Sequence, residues 1–194
     1  METASRWMKR SLAIVVASAL AAGCAADAPV GLKEVPAVST NASIADARIA
    51  DLGVCQNLQV PSGSKLAFRT YAEGVQIYRW SGTSWTFIAP EALLFADAAA
   101  NATIGSHYAG PTWESVSGGK VKGAVIDRCT PDPDAIAWLL LSAAPIDGAG
   151  VFQRVTHIQR VNTVGGNAPA DPGSAVGEEA RVPYTTEYLF YRAS

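Results

Sequence analysis

The sequence predicts an all-β chain: a single antiparallel β-sandwich or β-barrel domain carried behind an N-terminal signal and a tether. Three observations carry that expectation. From Leu58 onward the chain consists of short apolar or alternating runs broken by Gly, Pro and Ser, the texture of strands and tight turns. No stretch there sustains the 3.6-residue apolar period of a long amphipathic helix. Ahead of it the composition changes twice, from a basic and apolar leader to a segment rich in Ala, Pro, Ser and Asp. The 194 residues hold one ordinary domain rather than two.

The leader comes first. Arg6, Lys9 and Arg10 make a positive n-region, and Leu12 to Ala22 form an 11-residue apolar run. A run of that length is too short to span the hydrocarbon core as a helix, which takes about 20 residues. It ends in Leu20-Ala21-Ala22-Gly23-Cys24, which resembles a bacterial lipoprotein signal whose cysteine becomes the acylated N-terminus, although Ala21 stands where a large apolar residue is usual. Residues 1–23 are therefore expected to be a signal peptide, with lipid at Cys24 as the membrane partner on the envelope side of the cell, at the outer membrane or the periplasmic face. Cleavage after Ala26, leaving a soluble periplasmic or secreted protein, is the alternative. Residues 24–51 read as a flexible tether and 52–194 as the domain.

Cysteine count and charge bound the rest. Of three cysteines, lipidation of Cys24 leaves Cys55 and Cys129 to pair, closing a loop of about 75 residues; the chain-entropy model makes such a loop worth roughly 4 kcal/mol. Two unrelated buried thiols are the other reading. Neither has a second Cys or His at ligand spacing, so no metal site is expected. The chain has 15 basic and 17 acidic residues; losing Arg6, Lys9, Arg10 and Glu2 with the leader leaves 12 and 16, a net charge of about −4. Without a Lys/Arg cluster, nothing favours nucleic-acid binding.

Strand candidates follow in order. Val75 and Ile77 alternate with Gln76 and Tyr78, and Trp85 and Phe87 follow a turn at 81–84. A helical turn is expected near Pro90 to Ala98. Val121, Gly123 and Val125 alternate with Lys120, Lys122 and Ala124 after Ser117-Gly118-Gly119. Ile136 to Leu141 is apolar on both faces and reads as a central strand. Val151 to Val161 reads as a long strand with Val155, His157 and Gln159 on one side and Phe152, Ile158 and Arg160 on the other, and Tyr184 to Tyr191 closes the domain. The pattern gives eight or so strands and no internal repeat.

Five ordered stretches resemble a known family: 74–78, 105–114, Trp138 to Leu141, Ile158 to Gly166, and Val182 to Tyr191. The family is the domain of unknown function 3455 of exported bacterial and fungal proteins, and the resemblance covers about residues 58–192. Many of its members carry cysteines at the positions of Trp80 and about Ser174, which the resemblance implies are bridged in them; here Cys55 and Cys129 would supply a different staple. Some fungal relatives are labelled malate dehydrogenases, but this sequence has no Gly-x-Gly-x-x-Gly turn between strand and helix, so no nicotinamide or other cofactor is expected.

Candidate site residues are few. His107 lies in the loop from Gly105 to Glu114 beside Tyr108 and Trp113; His107 and Glu114 could form a polar pair in a pocket, or the loop could be a tight structural corner. Gln159, Arg160 and Asn162 at one strand end, set beside Gln76, Tyr78 and the aromatic loop, would either satisfy buried backbone or bind a ligand. His157 reads as an ordinary strand histidine, and no serine lies in a Gly-x-Ser-x-Gly elbow. His107 and Tyr108 are expected to be at least partly accessible at one end of the domain, with Trp113 and Trp138 in the core. Two functions follow: a non-catalytic binding or surface module for a sugar, small polar ligand or protein partner, or an envelope enzyme using the His107 loop.

Overall fold

The computed structural model describes residues 50–194 apart from residue 149; the leader, Cys24 and all of the tether but Ala50 and Asp51 lie outside the described residues. Eight antiparallel strands follow one another around a closed barrel: β1 (Ser64–Trp80), β2 (Trp85–Phe95), β3 (Thr103–Tyr108), β4 (Thr112–Ser115), β5 (Lys120–Cys129), β6 (Trp138–Asp147), β7 (Val155–Gly165) and β8 (Glu179–Ala193). The seam is long, running from Ser64 opposite Ala193 to Arg79 opposite Glu179. Barrel strands alternate inward and outward side chains, and eight strands enclose just enough space for their own side chains or one small ligand.

The two ends of the barrel differ. At the end carrying the β2–β3, β4–β5 and β6–β7 connections, Phe68, Phe152 and Phe190 pack with ring centroids 4.5 to 5.6 Å apart. That end is plugged. At the other end, the mouth, the β3–β4 hairpin stops at Tyr108 opposite Thr112, while β1–β2 continues to Trp80 opposite Trp85 and β5–β6 to Cys129 opposite Trp138. β2 pairs with β3 only from Ala92 on, and β4 pairs with β5 only as far as Lys122. Above the short hairpin the edges of β2 and β5 are therefore unpaired and flank a notch, tied at its sill by the Gly123 N–H donating to Pro111 O at 2.9 Å.

An outer layer covers one wall. Leu52, Cys55 and Leu58 pack on Leu140, Val161, Leu189 and Tyr191, on the outer face of β6, β7 and β8. A disulfide joins Cys55 to Cys129, with Cα atoms 5.6 Å apart. This strap explains why Ile136 to Leu141 is apolar on both faces: Leu139 and Leu141 pack with the inner cluster, Trp138 and Leu140 with the outer. Trp138, expected in the core, is only partly buried and lies in the outer cluster.

Two strand expectations need correction. The helical turn near Pro90 to Ala98 is instead the second half of β2 and the turn after it. Pro90 is tolerated in β2 because it lies on the unpaired stretch beside the notch, where a missing N–H breaks no ladder. β7 begins at Val155 because residues 151–154 turn, sending Phe152 into the plug, and a bulge after Val155 brings that side chain to the inner cluster rather than beside His157. Gly173 lies so close to Trp80 that a Cβ there would stand 2.6 Å from the indole Cγ.

Candidate ligand pocket in the barrel mouth

Gln76 on β1, His107 on β3 and Arg160 on β7 are far apart in sequence, and the barrel brings them together around a cavity of about 200 Å³ at the mouth. Its walls are largely apolar, including Phe87, Pro111, Val125 and Leu139, with Trp113 and Tyr188 deeper. Phe87, Ile88, Val125 and Ile126, on the two strands flanking the notch, keep 43 to 55% of their surface exposed and form an apolar rim.

Each polar member has a structural reason for its place. Gln76 faces inward because it shares parity with Ala72 and Tyr78 along β1, and it is only 2% exposed. His107 is paired across the hairpin with Trp113 and stacks on its indole at 4.3 Å, while Tyr188 meets the imidazole edge-on at 5.1 Å. Gly123 makes this stack possible, since a Cβ there would stand 2.9 Å from the Trp113 ring. His107 Nδ1 lies 2.9 Å from Thr112 O, and a carbonyl only accepts; the proton is thus assigned to Nδ1, leaving Nε2 unprotonated. Burial pulls the histidine pKa down to about 3, with the Arg160 charge acting in the same direction and the bond to Thr112 opposing it. The ring is neutral at ordinary pH. At 3% exposure, His107 is not the accessible side chain that the glycine-rich loop suggested: residues 103–108 form strand β3, and its odd positions point inward.

Arg160 is the charge in this lining. Its Nε and Nη2 donate to Ala137 O at 3.1 and 2.6 Å, and among the described residues it makes no ion pair. Burial raises the pKa of the Tyr184 and Tyr188 hydroxyls, and the guanidinium only partly opposes it. Four buried groups in or just behind this lining make no hydrogen bond of good geometry within the protein: Gln76 Nε2, Trp113 Nε1 and the hydroxyls of Tyr184 and Tyr188, the two hydroxyls making only weaker contacts with each other, with Gln76 and with Arg160. Unsatisfied buried polar groups are uncommon in folded proteins, and several together mark a place where water or a ligand supplies the bonds.

The remaining predicted residues lie elsewhere. Tyr78 points inward near the mouth, where its hydroxyl donates to Gly166 O at 2.7 Å and its ring meets Phe87 edge-on, so it braces the wall. Tyr108 donates to Glu114 Oε2 at 2.8 Å, and Glu114 Oε1 is 3.6 Å from Lys120 Nζ. Glu114 is opposite Ser106, one residue out of phase with the His107–Trp113 pair, so the carboxylate is on the other face of the hairpin from the imidazole. Gln159 lies under the strap, donating to Leu58 O at 2.7 Å and accepting from the Tyr191 hydroxyl at 2.7 Å. Asn162 occupies the left-handed region at φ 51° within a bulge of β7, and its amide donates to Glu187. Asparagine is among the few non-glycine residues that adopt this backbone readily.

Sequence reasoning did not place Tyr188 or Phe87 in the lining, nor Tyr184 beside Tyr188 behind it. A signal existed in β8, where Tyr184, Thr186 and Tyr188 recur at period two, a polar set on the face opposite Leu189 and Tyr191. The model of a family described as "Protein of unknown function (DUF3455)" matches residues 61–192. No curated protein and no solved structure matches the chain.

Proposed function

Because the chain belongs to this family of unknown function, its role has to be read from the barrel itself, and we propose that it is an exported, lipid-anchored protein that binds a small, mostly apolar molecule in the barrel mouth without transforming it. The observation that carries the reading is the cavity of about 200 Å³, apolar in its walls, into whose lining the fold places buried N–H and O–H groups that make no hydrogen bond of good geometry within the protein. An apolar pocket with a few convergent polar groups is the ordinary form of a small-molecule site. Mostly apolar walls fit such a ligand better than a sugar, whose hydroxyls each need a partner. An enzyme built on His107 and Glu114 would need both in one cleft, and the hairpin sets them on opposite faces.

Export and anchoring draw support from the leader and from the Cys55–Cys129 disulfide, a bond that persists chiefly in oxidising compartments. Mass spectrometry of the mature protein is expected to find the N-terminus at a diacylated Cys24; an unmodified N-terminus elsewhere ends that part of the proposal. For the pocket, benzyl alcohol at millimolar concentration should raise the melting temperature of the full chain in detergent. Leu139→Phe, which fills the cavity, should abolish that rise. No response of the wild type, or an equal response of both proteins, would overturn the binding reading.

A further inference from the structure

The polar groups around the cavity are unbalanced in kind. Gln76 Nε2 and Trp113 Nε1 are hydrogen-bond donors only, and the Tyr184 and Tyr188 hydroxyls can donate; none of the four makes a hydrogen bond of good geometry within the protein, and the contacts that Gln76 and the tyrosines make with one another are weak. Arg160 adds more donors. Of its five N–H groups, one on Nε and one on Nη2 point to Ala137 O and one more reaches the Tyr188 hydroxyl, which leaves two on the Nη1/Nη2 side. That remaining Nη1/Nη2 edge is the fork that receives a carboxylate through two parallel bonds. The lining contains this guanidinium and no Asp or Glu. A partly buried cation without a counter-charge is costly, and the cost is relieved when an anion arrives.

Resting on the binding reading above, we infer that the ligand is a monocarboxylate with a compact apolar body, its carboxylate on Arg160 and its body against Trp113, Leu139 and Phe87. One guanidinium balances one negative charge, which disfavours a phosphate dianion in walls this apolar. Size agrees. A cavity of about 150 Å³ lined by apolar side chains accommodates benzene, so about 200 Å³ takes a six-carbon ring or chain together with a carboxylate. The apolar rim at the notch supplies an entry matched to the body rather than to the charge.

The test uses three probes sharing one ring and differing in head group: benzoate, benzyl alcohol and benzylamine, titrated calorimetrically into the full chain in detergent at pH 7 and low salt. Benzoate is expected to bind at least about tenfold more tightly than benzyl alcohol, in keeping with a hydrogen bond to a charged group, and benzylamine most weakly. Arg160→Gln should bring the benzoate-to-alcohol ratio close to one while alcohol still binds. If benzyl alcohol binds as well as benzoate, or benzylamine binds best, the carboxylate inference falls and the pocket reading stands. If none of the three binds, both fall. A benzoate preference that survives Arg160→Gln also overturns the assignment to this side chain. Should that variant not fold, Arg160→Lys keeps the charge without the fork and is expected to lower the ratio severalfold; an unchanged ratio counts against the inference.

Discussion

Two buried clusters of glutamine and tyrosine lie on opposite sides of the same barrel wall. Outside it, Gln159 donates to Leu58 O and accepts from Tyr191, so the amide holds the strap to the barrel through two bonds of 2.7 Å. Inside it, Gln76 sits with Tyr184 and Tyr188 at comparable burial, yet its Nε2 and both hydroxyls make only weak contacts with one another and with Arg160 and no hydrogen bond of good geometry. Residue type and depth are nearly the same in the two clusters; what differs is whether the protein completes its own hydrogen bonds. A completed set is structure, and an incomplete one beside a cavity is poised to take bonds from a ligand.

The contrast can be broken by substitution. Trp113→Ala removes the largest side chain of the inner cluster, 1% exposed, and should cost about 3 to 5 kcal/mol in denaturant unfolding; a loss below about 1 kcal/mol would mean that the interior is not packed around it. Replacing Cys55 and Cys129 by Ser frees the outer strap and is expected to lower stability by roughly 2 to 4 kcal/mol. Benzyl alcohol binding should survive, since the strap covers the outer face; its loss would tie the two clusters together. Gln159→Leu strands Leu58 O and the Tyr191 hydroxyl and should cost about 1 to 3 kcal/mol. Gln76→Leu removes an amide whose Nε2 makes only a weak contact with Tyr184 and should cost less than Gln159→Leu, under about 1 kcal/mol, while weakening benzoate. Equal costs at the two glutamines would erase the distinction.

One further expected effect depends on pH. His107 is held at a pKa of about 3 by burial, whereas an unfolded histidine titrates near 6.5. Between those values the unfolded chain binds a proton that the folded chain refuses, so this residue makes stability fall as pH falls through that window and has no effect above it. Its share between pH 6.5 and 5.5 is about 1 kcal/mol. His107→Gln keeps an amide donor for Thr112 O and removes the titration, and should flatten the stability profile by that amount. Identical slopes in the two proteins would show that His107 is protonated in the fold.

The sequence reveals more of the strands than of their contents. Alternation and turn residues announce β1, β2, β5 and β8, and the doubly apolar run at Ile136 to Leu141 announces a strand covered on both sides, because these signals are local. Its outer cover, the strap at 50–60, is not announced, since Leu52 and Leu58 carry no period of their own. The pairing of Gln76, His107 and Arg160 depends on barrel closure, a long-range event that no window of residues encodes. Proximity in sequence misleads at Gln159 and Asn162: they flank Arg160 in one strand, yet Gln159 faces the strap and Asn162 serves a bulge. The histidine loop misleads for another reason, because Gly105 and Gly110 mark a close hairpin and its turn and not an open corner.

The long seam between β1 and β8 has a kinetic consequence. Strands from the two ends of the domain must find each other before the ring exists, and no smaller ring can be made on the way by the same pairings. Folding dominated by such distant contacts is slow, on the order of milliseconds to seconds for β-rich domains. During that interval β1 and β8 are both open to other chains. A chain cut within β8 is therefore expected to associate with its own kind rather than settle as a seven-stranded remnant, and the last strand acts as the molecule's own chaperone for the first.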